Sequence, residues 1–272
     1  MLAENQLKVS HVAELFSLAR RIHKGERLPH WIEPETIPSQ DYRDRISAIL
    51  LRHGLLESSG GPAFFNLIRY APHPRMGEAL CDIALDEVRH GRMLLECLDP
   101  LGVDYRQPFR DMVGADYRGR MNRVGMSASR GEPSSWADVL AFTMLVDPAG
   151  LLIVGMRLTS NYGPLARASA RTLLDEEGHA AFWEKWGQDQ LAAEAGRREV
   201  QASIDRFMAA SLGILGRPKA VNANFAHEQK LGLWKTDPAE LQQVLKAMLK
   251  VSLEPLGLRI PAVEPDYGGA FW

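Results

Sequence analysis

The chain has 272 residues, 46% hydrophobic and 24% charged, enough to bury a large core and most simply read as one domain over 1–272. Its 32 basic and 34 acidic side chains leave a net charge of −2, so there is no electrostatic footprint for nucleic acid or for an anionic membrane. Two cysteines, Cys81 and Cys97, exclude a disulfide framework and read as small core residues in a reducing compartment.

From the start of the chain, Met1 to Ser10 lacks the apolar core of a signal peptide, and a cytoplasmic location is expected. Nearly everything periodic has a helical period, with no alternating Val/Ile/Thr-rich run of strand length, so the expected class is all-α. Helices are predicted over 10–23, 40–59, 63–69, 73–99, 134–159, 163–195, 197–212 and 238–251. The proline-bearing segment 24–38 reads as a loop wrapped around the bundle. Gly60-Gly61-Pro62 reads as a break one turn beyond Glu57. Ser134-Ser135 supplies hydroxyl caps for the helix that follows, with Asp138 as an early acid suited to the helix dipole. The irregular, aromatic tail 260–272 suggests docking onto this same chain or onto a partner.

Two phrases stand out, Asp86-Glu87-Val88-Arg89-His90 and Asp175-Glu176-Glu177-Gly178-His179. Glu and His three apart lie on nearly the same helix face, so an oxygen and a nitrogen can converge on one ion, and this donor pair suits Fe(II), Mn(II) or Zn(II). One such pair is often only a surface pairing. Here each follows an isolated acid by nearly the same interval: Glu57 lies 30 residues before Glu87, and Asp147 lies 29 before Glu176. The midpoints fall on the turn sequences Pro72-His73-Pro74 and Asn161-Tyr162-Gly163-Pro164. Acids equidistant from a turn come level across an antiparallel helix pair. Two such pairs give a ferritin-like four-helix bundle with flanking helices, holding two iron ions between Glu57, Glu87, His90, Asp147, Glu176 and His179.

The surroundings agree. Asp147 interrupts a stretch from Val139 to Met156 that is apolar on every side, where an ionised carboxylate is costly unless paired or metal-bound. That stretch has the minimum length of a membrane span, but the central Asp147-Pro148 pair and charged flanks favour a buried helix, kinked or restarted at Pro148. Asp86 and Asp175 are expected to cross over, Asp86 to His179 and Asp175 to His90, taking the second ring N–H of each histidine. His11, His23, His30, His53, His73 and His227 have no partner at ligand spacing and read as surface or hydrogen-bonded residues. Phe64, Phe65, Trp183 and Trp186 read as core, and Arg89 and Arg92 as partners of nearby acids.

The stretch 42–103 with Glu57 and Asp86 to Gly91, the Ser135-Trp136-Ala137-Asp138 start through Asp147, Tyr162-Gly163-Pro164, and Glu176 to His179 resemble the catalytic A subunits of phenylacetyl-CoA epoxidases. The likeness continues at Ile204-Asp205-Arg206-Phe207 and Leu256-Gly257-Leu258, covering most of the chain. It implies that the six residues named above bind a di-iron centre that activates O2 and epoxidises the aromatic ring of a coenzyme A thioester. It also implies a related non-catalytic subunit, small accessory subunits and a flavin/iron–sulfur reductase. The expected activity is insertion of one oxygen atom, by epoxidation or hydroxylation, into an organic substrate such as phenylacetyl-CoA, within an oligomer. The other readings are an iron-storage or oxidase protein and a non-catalytic partner subunit. The family carries a lysine one turn before the first Glu-x-x-His glutamate. This chain has Ile83, expected to project beside the pocket and to mark a different substrate.

Overall fold

The computed structural model describes residues 2–113 and 133–267, and among them every regular element is helical apart from one isolated bridge between Ile32 and Tyr162. The α-helices are α1 (Leu2–His23), α2 (Gln40–Leu67), α3 (Pro74–Glu96), α4 (Arg106–Val113), α5 (Trp136–Leu158), α6 (Gly163–Ala180), α7 (Phe182–Trp186), α8 (Gln188–Ala192), α9 (Glu194–Ile214), α10 (Ala223–Lys230) and α11 (Pro238–Leu253). Helices α2 and α3 form one antiparallel hairpin and α5 and α6 a second. The two meet through α3 and α6, which makes a four-helix bundle. Helix α9 lies along α5, and α1 packs on α5 and α6, where Leu15, Phe16, Ala19 and Ile22 meet Leu151, Val154 and Leu158 of α5 and Ala170 and Leu173 of α6.

The helix starts follow from local chemistry. Ser39 Oγ accepts from the Tyr42 N–H at 3.1 Å, and His73 Nδ1 accepts from the Arg75 N–H at 3.2 Å just ahead of Pro74. At α5, Ser135 Oγ accepts from the Asp138 N–H while Asp138 Oδ2 accepts from the Ser134 N–H at 2.7 Å, a reciprocal cap. Burial raises the Asp138 pKa, but hydrogen bonds from Arg206, Ser203 and Ser134 outweigh it and hold the carboxyl at about 2.

Helix α5 is the central rod. It is long and apolar enough to cross a membrane, yet 83% of its most apolar window is buried inside the protein, as in a core helix enclosed by neighbours. It runs through Pro148 with no break, so the expected restart there does not occur.

Three other expectations differ. Helix α2 continues through Gly60-Gly61-Pro62. Those glycines serve packing and not a turn: a Cβ at Gly60 would lie 2.6 Å from Glu87 Oε2, and one at Gly61 would lie 2.4 Å from Val88 Cγ2. The long helix predicted over 163–195 is divided into α6, α7 and α8. Here Phe182 and Trp183 turn into the core, and Gly187 closes against the Trp183 carbonyl. Helices α4 and α10 fall where no helix was expected, each eight residues long and so too short to show a clear period.

The segment 24–38 is a strap. Ile32 N–H donates to the Asn161 carbonyl and Gly163 N–H to the Ile32 carbonyl, while Arg167 clamps Glu33 with two bonds of 2.7 and 2.8 Å. It is fastened to the turn between α5 and α6. The tail also docks onto this chain. Asp266 N–H donates to the Ala209 carbonyl at 2.7 Å, over Gly213, where no Cβ would fit beneath the Asp266 carbonyl. The last five residues of the tail, 268–272, lie outside the described residues.

Several single residues depart from their expected settings. Phe64 and Trp183 are core and Trp186 partly so, whereas Phe65 is 64% exposed. Cys81 is exposed on α3, and only Cys97 is partly buried. His53 is fully buried, its ring edge-on to Trp234, whereas His73, which caps a helix, and His227, which meets Asp41 at 2.8 Å, are hydrogen-bonded as expected. Arg89 pairs with Asp86 and Arg92 with Glu96, as expected.

Candidate metal centre

The middle stretches of α2, α3 and α5 and the last turn of α6 bring Glu57, Glu87, His90, Asp147, Glu176 and His179 together at one site inside the bundle. Four of them, Glu57, Glu87, His90 and Glu176, place one donor atom each within 4.8 Å of one another, close enough to hold a cation. Glu176 spans the cluster. Its Oε1 stands 3.5 Å from His90 Nδ1 and its Oε2 stands 3.5 Å from His179 Nδ1. Glu57 Oε2 lies 4.0 Å from His90 Nδ1, and Glu87 Oε1 lies 3.8 Å from His179 Nδ1, so the two histidines face one acid of the first hairpin each. The imidazole rings are 5.9 Å apart.

The outer nitrogens point the other way. His90 Nε2 meets Asp175 Oδ2 at 3.4 Å, and His179 Nε2 stands 3.5 Å from Asp86 Oδ2, which is the crossing that the sequence suggested. Each aspartate is steadied by an arginine on its own helix: Arg89 donates to Asp86 at 2.8 Å, and Arg171 lies 3.0 Å from Asp175. With Nε2 turned to a carboxylate, Nδ1 is the nitrogen available inward.

The electrostatics are those of a cluster built for positive charge. Burial, then the charges of Glu176, Glu57 and Asp147, drive the Glu87 pKa well above the ordinary carboxylate range. Burial does the same to Asp147, with Glu176 adding and His179 opposing. For His179 burial lowers the pKa, but Glu176, Asp147 and Asp86 outweigh it and raise it to about 9. Buried polar atoms without a hydrogen-bond partner include His90 Nδ1, His179 Nδ1 and Asp147 Oδ2. Such atoms are costly unless something bonds them. Carboxylate and imidazole donors aimed inward fit a divalent transition-metal cation.

One residue at the cluster escaped the sequence reading. Arg157, on α5, is 2% exposed and donates from Nη1 to Glu57 Oε1 at 2.6 Å. Its only signal was a cation at the end of an otherwise apolar helix, indistinguishable in sequence from a charge emerging at the surface. Ile83 also differs from expectation. It lies in the hydrophobic core and is not on the wall of the cavity beside the cluster.

That cavity has a volume of about 130 Å³. Glu57, Glu87, Asp147 and Glu176 contribute to its lining, and Phe64, Phe142, Phe207, Ile153 and Ile214 supply apolar wall. Phe142 stacks edge-on against both Phe64 and Phe207, at 5.8 and 6.5 Å between ring centres. Asp266 and Tyr267 of the docked tail complete the lining.

Fold and site together define a ferritin-like helical bundle with a buried carboxylate–histidine cluster that can hold metal. The chain belongs to the phenylacetic acid catabolic protein family, whose model matches residues 10–270. It is similar to the A subunit of 1,2-phenylacetyl-CoA epoxidase from Escherichia coli (strain K12), at 27% identity over 241 residues that cover 86% of this chain and 74% of the relative.

Proposed function

We propose that this chain is the oxygen-activating component of a di-iron monooxygenase, with Glu57, Glu87, His90, Asp147, Glu176 and His179 as the iron ligands. The observation that carries the reading is the inward convergence of two histidine Nδ1 atoms and four buried carboxylates, with unpartnered atoms among them. The substrate is an organic molecule whose reacting part is apolar, an aryl-CoA thioester being the first candidate. A cavity of roughly 150 Å³ takes a benzene-sized ring, and the 130 Å³ space walled by three phenylalanines is close to that size.

Bound iron supplies the binding and reductive activation of O2. One oxygen atom enters the substrate and the other leaves as water, which consumes two protons and two electrons, so an external reductase is required. The protein's part is positional. Asp175 fixes the His90 ring by its outer nitrogen, Asp86 stands beside that of His179, and Glu176 faces both histidines and so ties the two halves together. His179, raised to about 9, gives up its Nδ1 proton when a cation binds. The phenylalanine side chains give the cavity beside the cluster an apolar wall.

The test is iron analysis of the purified chain, followed by reduction and exposure to labelled O2 with a panel of aryl-CoA thioesters, with products read by mass spectrometry. Two irons per chain and a product carrying one labelled oxygen are expected. No bound metal would make the chain a non-catalytic partner in a complex; a large mineral load per assembly would make it a storage protein. Either result would overturn the reading.

A further inference from the structure

Among the described residues, Arg157 is the one cation lining the cavity, and the helix that carries it, α5, is otherwise apolar in character around it. Burying a guanidinium costs several kcal/mol unless a counter-ion answers it. Here Glu57 does, and the way it does so divides the carboxylate. Oε1 takes the Arg157 Nη1–H at 2.6 Å, whereas Oε2 is the oxygen turned toward His90 Nδ1, at 4.0 Å. Among the described residues, none of the other three buried acids, Glu87, Asp147 and Glu176, is hydrogen-bonded to an arginine.

Arg52 and the fully buried His53, both on α2, lie near Arg157, and Glu228 on α10, whose charge acts on Arg52, accepts from Trp234 Nε1 at 2.7 Å. Glu57 is thus the acid that Arg157 hydrogen-bonds, while the arginine's charge also acts on Glu87.

We infer that Arg157 is a positioning residue that keeps Glu57 Oε1 away from the metal pocket, so that this acid offers one oxygen and its cation retains an open coordination position. The inference rests on reading the cluster as a two-cation site. It concerns this chain's own geometry, since a carboxylate free to rotate can chelate with both oxygens and fill the place that an incoming ligand needs. The charge has a second effect. Four carboxylates and two divalent cations sum to zero, and Arg157 leaves the loaded site with one positive charge in excess.

Cobalt(II) titration of the full-length, metal-free protein tests this, because the visible absorption of cobalt falls as its coordination number rises. Wild type should take two ions per chain. Arg157→Met should also take two, but with absorptivity for one ion roughly halved as Glu57 closes on it with both oxygens. Removing the facing cation should also tighten that ion's affinity by about tenfold. A residue that merely supports the fold would give the opposite, weaker binding with an unchanged spectrum, and that result overturns the inference. Arg157→Lys should restore the wild-type spectrum, since an ammonium can still hold Oε1. If Arg157→Met does not fold, Arg157→Gln carries the same test: it is neutral, and an unaltered spectrum and affinity in that variant would also overturn the inference. Failure of wild type to take two ions would instead sink the metal reading itself.

Discussion

The α2–α3 hairpin and the α5–α6 hairpin carry the same Glu-x-x-His phrase and the same distant acid, but they support those acids differently. In the first hairpin Glu57 has a counter-ion, Arg157, reaching from the opposite hairpin. In the second, Asp147 sits on the most enclosed helix of the molecule with its Oδ2 unpartnered and its pKa well above the ordinary range, burial being the main cause. One acid is compensated by the protein and the other is left for a cation to compensate. The difference separates a carboxylate that the fold holds in place from one that the fold tolerates at a cost.

That contrast is broken or sharpened most strongly by neutralising each acid in turn. Both Glu57→Gln and Asp147→Asn are expected to lower turnover by a factor of about a thousand or more, since each removes a proposed ligand. Their metal-free stabilities should move in opposite directions. Glu57→Gln strands Arg157 inside the protein and should cost about 3–5 kcal/mol. Asp147→Asn removes a buried, unpartnered carboxyl and should be neutral or stabilising. Denaturant melts of the two metal-free variants decide the matter, and equal losses would erase the distinction.

Next in size is Ile83→Lys. Ile83 is buried in the core and off the cavity wall, so the new ammonium would be taken out of water. A cost of several kcal/mol is expected, with no gain of turnover on phenylacetyl-CoA. A variant as stable as wild type and more active on that thioester would show that the position communicates with the site despite its burial.

Smaller effects belong to the outer aspartates. Asp175→Asn and Asp86→Asn should each weaken metal binding by about 10–100-fold. Asp175 should be the more sensitive, because it is hydrogen-bonded to its histidine, His90, whereas Asp86 stands beside His179 without a hydrogen bond. Isothermal titration with iron(II) or cobalt(II) reads both.

The gentlest test is pH. Glu87 and Asp147 have raised pKa values and His179 is raised to about 9, so at these three positions the folded metal-free protein holds more protons than the unfolded chain across this interval. The contribution of these three groups to its stability should therefore fall as pH climbs from the ordinary carboxyl range, about 4, toward 9, while the buried His53, whose pKa is lowered, contributes with the opposite sign at the acidic end. Metal affinity should climb over the same range, because each ion displaces those protons. Thermal melts of loaded and metal-free protein should diverge as pH rises, and parallel curves would argue that the raised groups are not at the metal.

Much of the site was legible in the sequence for a simple reason. The period of the α-helix fixes where residues three apart point, so Glu87 with His90 and Glu176 with His179 were pairs before any tertiary structure existed. The turn midpoints set the level at which Glu57 meets Glu87 and Asp147 meets Glu176, and the hairpin turns at Ala71–His73 and Thr159–Tyr162 fall where they were expected. The crossing of Asp86 and Asp175 was also readable, because a residue next to a ligand in one hairpin faces the histidine of the other. Gly60 and Gly61 misled. A glycine pair followed by proline signals a break locally, whereas here the glycines admit Glu87 and Val88 of the neighbouring helix, a demand that exists only once α2 and α3 are packed.

The sequence by itself thus determined the all-helical class, the two hairpins and the ligand phrases, all of which depend on periods and intervals along the chain. Tertiary structure decided which acid has a counter-ion, where Ile83 lies and what walls the cavity. Arg157 and Glu57 are 100 residues apart, and Asp266 reaches back over Gly213 from the tail. Contacts of that kind depend on how each helix is rotated and how closely it approaches its neighbour. These are set by the packing of whole faces, and no local period encodes them.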